Sequence, residues 1–180
     1  MIRAFLALPI PEPLEHRLSL LQDAMQDGTP VPVENFHLTL AFLGEQAEST
    51  LDDLDVLLAA AALPMPVLRL TSLAAFGGRN PRALIALFAP DPRLMALQSR
   101  VARLALDAGI PLQHRRFTPH VTLIRFAQDE VTPPQLAGAI AAAGLITSEA
   151  HAVAQMHLMR SRLLASGAAY DPLARYRLTA

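Results

Sequence analysis

The sequence contains no cysteine, no tryptophan and no lysine. Without cysteine there is no disulfide, no thiolate metal cage and no cysteine nucleophile. Without lysine three chemistries fall away: a P-loop, which needs its lysine, a lysyl Schiff base, and the covalent lysyl-nucleotide intermediate of ATP-dependent ligases. Long apolar runs are also missing, since none approaches the ~20 residues that span a bilayer. The apolar start soon meets Pro9, Pro11 and Glu12 and reads as a strand rather than a signal peptide. A cytoplasmic protein with no membrane contact is expected.

What is present is core-forming material. Of 180 residues, 52% are hydrophobic and 17% charged, enough to bury a sizeable core. The net charge of −1 argues against a wholesale nucleic-acid binder, but the halves differ. Residues 1–78 hold three arginines against ten acids, and residues 79–180 hold twelve against six. A basic half can attract phosphates, although uneven surface charge is also common.

Hydrophobic period predicts strands over 2–8, 36–43 (closed by Gly44), 67–76, 83–88, 120–126 and 150–159, with a last one over 175–179. It predicts helices over 14–25, 49–62 (Ser49 as N-cap), 91–108 and 133–143. Asp91, Pro92 and Gly109 mark the ends of the third helix, and Gly144 stops the fourth. The order is strand, helix, strand, helix, strand, given twice. Phe5 to His37 is 32 residues and Ala86 to His120 is 34; His37 to Leu70 is 33 and His120 to Gln155 is 35. The same tetrapeptide pattern stands at the matched place in each half: His37-Leu38-Thr39-Leu40 and His120-Val121-Thr122-Leu123. This predicts a single bilobal domain over 1–180, with approximate repeat halves 1–78 and 79–160 and a C-terminal strand segment 161–180.

On a strand, residues two apart share a face. Each motif therefore offers an imidazole and a hydroxyl side by side, with its other two residues in the core. Two such elements across a cleft suit in-line phosphoryl transfer. One histidine takes a proton from the attacking group and the other gives one to the leaving oxygen. The threonine hydroxyls can donate to phosphate oxygens. Arg125, five residues after His120, would point away from the cleft in a regular strand; a bulge or strand end there could turn it back as a phosphate clamp. One such motif alone is ordinary strand patterning; the matched pair points to chemistry. Zinc is the competing use of paired histidines, but Glu34 has no counterpart in the second copy, so the set is poor. His16 sits on a helix among charged neighbours, and His114 beside Arg115 and Arg116 in a loop. His151 and His157, on one strand, lie roughly 20 Å apart. None of these four is a candidate.

The segment from Val33 to Gly44 resembles the first motif of the 2H phosphoesterases, and most of all the RNA 2′,3′-cyclic phosphodiesterases historically named 2′-5′ RNA ligases. Arg116 to Arg125 resembles the second motif, with Pro119 before the histidine and Arg125 after it. Arg3-Ala4-Phe5 resembles the opening strand, and Ser161-Arg162-Leu163 through Gly167 and Tyr170 the C-terminal signature. Members often carry a tryptophan before the first motif and another after the Gly77 turn; this chain has neither, with Ile85 near the second place. The resemblance implies an α+β fold, with two antiparallel sheets flanking a central cleft and helices outside. It implies no metal and no other cofactor. It also implies hydrolysis of an RNA-terminal 2′,3′-cyclic phosphate to a 2′-phosphate, and ATP-independent 2′-5′ ligation in reverse. In this scheme His37 protonates the departing 3′ oxygen and His120 activates water. Thr39, Thr122 and Arg125 hold phosphate oxygens. The expected partners are RNA ends bearing a cyclic phosphate, bound by a monomer with no obligate protein partner. Two alternatives stand beside this: a phosphodiesterase of small cyclic nucleotides or 2′-5′ oligonucleotides, and a nucleotide-binding module without turnover.

Overall fold

The computed structural model describes residues 1–113, 116–144, 146–164 and 167–180. The expectations for His114 and Arg115 lie outside the described residues. In chain order the elements are β1 (Ile2–Pro9), α1 (Glu12–Asp23), β2 (Thr29–Pro30), β3 (His37–Gln46), α2 (Glu48–Ala60), β4 (Val67–Leu68), β5 (Leu70–Phe76), β6 (Ala83–Phe88), α3 (Pro92–Asp107), β7 (His120–Arg125), α4 (Pro133–Ala142), β8 (His151–Ala152), β9 (Gln155–Leu164) and β10 (Gly167–Arg177). A single 3₁₀ turn, Val33–Asn35, leads into β3.

Two four-stranded antiparallel sheets carry the fold, in the orders β10-β9-β1-β3 and β2-β7-β6-β5. Each sheet centres on the first strand of one half, β1 or β6, with that half's motif strand beside it. The next strand in each sheet comes from the other half: β9 joins β1, and β5 joins β6. The helices cross over in the same way, α1 against β7 and α3 against β3. Each sheet therefore draws strands from both halves. Leucines on alternate positions of β1 and the two motif strands, with Leu14, Leu18, Leu94, Leu97 and Val101 from the helices, form one continuous core.

The local chemistry explains the element ends. Asp91 Oδ1 accepts from the backbone N–H groups of Arg93 and Leu94, with Pro92 in the first turn of α3, which satisfies two of that helix's unpaired donors. Thr132 and Gln135 form a reciprocal capping box on α4. Ser49 does not cap α2: it lies inside the helix, whose N-cap is Ala47 with no side-chain bond. Gly44 does not close β3 either. The strand runs on to Gln46, and Gly44, at φ +74°, forms part of an irregularity opposite Ala4. The strand expected over 67–76 is split at Arg69, because β4 leaves to pair with β8. That expected over 150–159 is split into β8 and β9. The last strand is far longer than 175–179, running from Gly167 as the partner of β9.

Candidate active site

Both motif strands begin at their histidine and repeat one burial sequence. His and Thr are half-buried, the two residues after Thr are buried in succession, and the next emerges exposed. The two successive buried residues mark a bulge. Leu6 faces Ala41 and Ala7 faces Thr39, leaving Leu40 unmatched; Leu84 faces Ile124 and Ile85 faces Thr122, leaving Leu123 unmatched. An extra residue shifts the alternation by one. The fifth residue after each histidine thus returns to the histidine's face. In β7 that residue is Arg125; in β3 it is Phe42, 72% exposed.

Each bulge is held by a glutamine from the helix that crosses over from the other half. Gln22 of α1, a buried side chain, donates from Nε2 to the Leu123 carbonyl at 2.6 Å and to the Val31 carbonyl at 2.9 Å. The Leu123 carbonyl also accepts from the Val31 N–H at 2.8 Å. Gln98 of α3 donates to the Leu40 carbonyl at 3.5 Å. Bulged strands leave backbone groups without ladder partners, and a buried orphan is costly. The glutamines supply those partners.

The histidines are held alike. His37 Nδ1 lies 2.7 Å from the Asn35 carbonyl and His120 Nδ1 2.7 Å from the Thr118 carbonyl. A carbonyl only accepts, so Nδ1 carries the hydrogen in both rings. In the neutral form Nε2 is then the free base. Burial pushes the pKa of His37 down, the Asn35 hydrogen bond opposes this, and the charges of Arg125 and His120 push it down further. Burial likewise lowers His120, against its bond to Thr118. Both shifts favour the neutral ring. The surroundings are not symmetric. Phe5 and the edge of Tyr170 pack on His37, with ring centroids 4.8 and 5.1 Å away, whereas Phe76 packs on His120 at 4.8 Å. Asn35 also donates from Nδ2 to the Ala168 carbonyl at 3.0 Å, tying the β9–β10 hairpin to the turn that bears His37.

His37, Thr39, His120, Thr122 and Arg125 all line one cleft of about 270 Å³. The five residues singled out from the sequence are thus brought together. Sequence reasoning did not assign Phe42, Tyr170 or Arg3, which line the same cleft. For Phe42 the signal was available, since it is the counterpart of Arg125 at the fifth position of the first motif. Tyr170 was singled out only as part of the C-terminal signature; the hairpin that carries it brings it to the cleft. His16, His151 and His157 stand outside the cleft, the last two on separate strands. No Asp or Glu is among the described residues that line it. Among the described residues no three His, Asp or Glu side chains cluster to hold a metal ion.

Residues 10–163 match the family model described as the 2′-5′ RNA ligase superfamily. The chain is 29% identical to the RNA 2′,3′-cyclic phosphodiesterase of Escherichia coli (strain K12), over 98% of this chain and 97% of that one. It is 31% identical to the RNA 2′,3′-cyclic phosphodiesterase of Geobacillus stearothermophilus, over 70% of this chain and 42% of the relative. Among solved structures, Escherichia coli LigT complexed with 3′-AMP superposes with a TM-score of 0.81 at 26% identity, covering 99% of each chain. A phosphoesterase superposes with a TM-score of 0.81 at 25% identity over the whole of both. With the family match spanning most of its length, the chain belongs to the 2′-5′ RNA ligase superfamily.

Proposed function

We propose that the protein hydrolyses RNA-terminal 2′,3′-cyclic phosphates to 2′-phosphates by two-histidine acid–base catalysis. One observation carries the reading: two imidazoles share a cleft, each with Nδ1 fixed on a backbone carbonyl and Nε2 left for proton transfer. The relatives' printed activity supports the substrate.

Water attacks phosphorus in line with the 3′ oxygen, and His120 Nε2 takes its proton. The P–O3′ bond breaks, and His37 gives a proton to the departing 3′ oxygen. The 2′ ester bond survives, so the product is a 2′-phosphate with a free 3′-hydroxyl. The Thr39 and Thr122 hydroxyls donate to the non-bridging oxygens, and Arg125 offers them its planar fork. His37 must be protonated to act as an acid, although burial and the Arg125 and His120 charges push its pKa down. A bound phosphate anion offsets the Arg125 charge that depresses His37, and its own charge favours the imidazolium. Substrate binding thus readies the acid. The exposed Phe42 ring gives the terminal base a stacking surface. A 5′-hydroxyl in place of water runs the reverse ligation, with no ATP because the cyclic ester carries the energy.

The reading extends to a monomer acting in the cytoplasm; one chain brings both histidines, both threonines and Arg125 to one cleft. The test is parallel turnover of a cyclic-phosphate-ended oligoribonucleotide, a mononucleoside 2′,3′-cyclic phosphate and a linear 2′-5′ dinucleotide. Preference for the first supports the reading. Preference for either of the others identifies a small-nucleotide or 2′-5′ phosphodiesterase. Tight binding without turnover identifies a binding module.

A further inference from the structure

Arg3 stands in an otherwise acidic part of the chain, one of three arginines among residues 1–78. Its side chain is exposed and lines the cleft that holds both histidines. Apart from Arg125 it is the only arginine among the described residues that line it. Glu45 faces it in register on β3, yet no carboxylate among the described residues lies within ion-pair distance of Arg3. A cation beside an available acid but directed into a cleft without acids is placed to meet an anion from solution.

The sheet sets its distance from the histidines. Arg3 and Ala7 share the cleft face of β1, and Ala7 pairs with Thr39. The two are separated by about 13 Å along the strand, a span that one nucleotide and an extended guanidinium cover together. Phe5 and Phe42, paired in register, lie between. Ser161 on β9, one position beyond the Ala4–Arg160 pair, lines the same end of the cleft and adds a hydroxyl.

We propose that Arg3, with Ser161, forms a second phosphate subsite that binds the 5′-side phosphate of the terminal nucleotide. This rests on the function proposed above and sharpens its substrate class. In a polynucleotide ending in a 2′,3′-cyclic phosphate, the next phosphate hangs from the 5′ oxygen of that same nucleotide. With the cyclic phosphate at the histidines and the base on Phe42, that phosphate falls toward Arg3. The cleft therefore selects RNA ends over cyclic mononucleotides that lack a 5′-phosphate.

The experiment compares kcat/KM for three substrates: a nucleoside 2′,3′-cyclic phosphate with a free 5′-hydroxyl, the same nucleotide with a 5′-phosphate, and a dinucleotide with a cyclic-phosphate end. The wild-type protein should favour the latter two by roughly tenfold, the scale of one hydrogen bond to a charged group, with the gain in KM. Arg3→Ala should bring the ratio near one. Arg3→Lys should keep part of it, as a point charge without the fork. Removing one phosphate contact should also lower the salt dependence of dinucleotide binding by about 0.7 in slope. Equal turnover of all three by the wild-type protein, or a preference that survives Arg3→Ala, overturns the subsite. If none is turned over, the hydrolytic reading fails, and calorimetry decides the subsite alone. Tighter binding of a nucleoside 2′,5′-bisphosphate than of the 2′-monophosphate, lost in Arg3→Ala, supports it; equal binding refutes it. Arg3 is exposed, and a thermal melt of the variant checks that the fold is intact.

Discussion

Arg125 belongs to the strand that bears His120, yet its charge lowers the pKa of His37, the histidine of the other half. Burial is the larger cause of that lowering, and the Arg125 charge adds to it across the cleft. Removing a positive charge favours the imidazolium, so Arg125→Ala should raise the pKa at which His37 titrates. Histidine NMR titration of the free protein reads this directly. Wild-type His37 should titrate below the ordinary histidine value near 6.5, and the variant at higher pH. An unmoved or lowered titration would show that the two groups do not interact.

Turnover should distinguish the clamp's shape from its charge. A guanidinium binds two phosphate oxygens at once and an ammonium does not. Arg125→Lys should be clearly impaired and Arg125→Ala more so, while both melt close to wild type because the side chain is exposed. A lysine variant with wild-type rates, or an alanine variant that unfolds, would remove Arg125 from the site.

The histidine pair should behave as one unit. His37→Ala and His120→Ala should each lower turnover by roughly 10²–10⁴-fold. The double variant should lose much less than the product of the two losses. The pH–rate profile should be bell-shaped, its limbs belonging to the coupled pair. Near-normal turnover in either single variant excludes paired catalysis.

Gln22 offers a test of the bulge. Its amide is buried and bonded to the Leu123 carbonyl, the residue whose insertion returns Arg125 to the cleft. Gln22→Ala removes two hydrogen bonds to backbone carbonyls and should cost about 1–3 kcal/mol of stability, at about 0.5–1.5 kcal/mol for each bond. If it positions Arg125, it should also raise KM. In an Arg125→Ala background that KM effect should vanish, as a double-mutant cycle shows. A full additional loss in that background would leave Gln22 a purely structural residue.

The parts of the fold legible in the sequence are those where local chemistry and burial agree. β6 falls where its apolar run places it, and α3 has its Asp91 cap and Gly109 stop. The matched motifs located His37, Thr39, His120 and Thr122, because a strand's two-residue period fixes which side chains share a face; Arg125 breaks that period and was singled out by its place in the second motif. The bulges were not legible, since they depend on cross-strand register and on glutamines up to 101 residues away. The β9–β10 hairpin was hidden for another reason. From Ser161 to Leu164 and from Gly167 to Leu173 no side chain is fully buried, so no apolar alternation marks them. Its ion pairs, Arg160 and Arg162 on Asp171, leave no periodic trace. Tyr170 and Ser161, on this hairpin, therefore could be placed at the cleft only by the fold itself.

The most direct measurement is end-group analysis of an oligoribonucleotide ending in a 2′,3′-cyclic phosphate, incubated with the protein in EDTA. Two-histidine catalysis without a metal predicts complete conversion to a 2′-phosphate, undiminished by chelation and abolished in the His37→Ala, His120→Ala double variant. An unchanged end, a 3′-phosphate product, or turnover that stops on chelation and returns with zinc or manganese would contradict it.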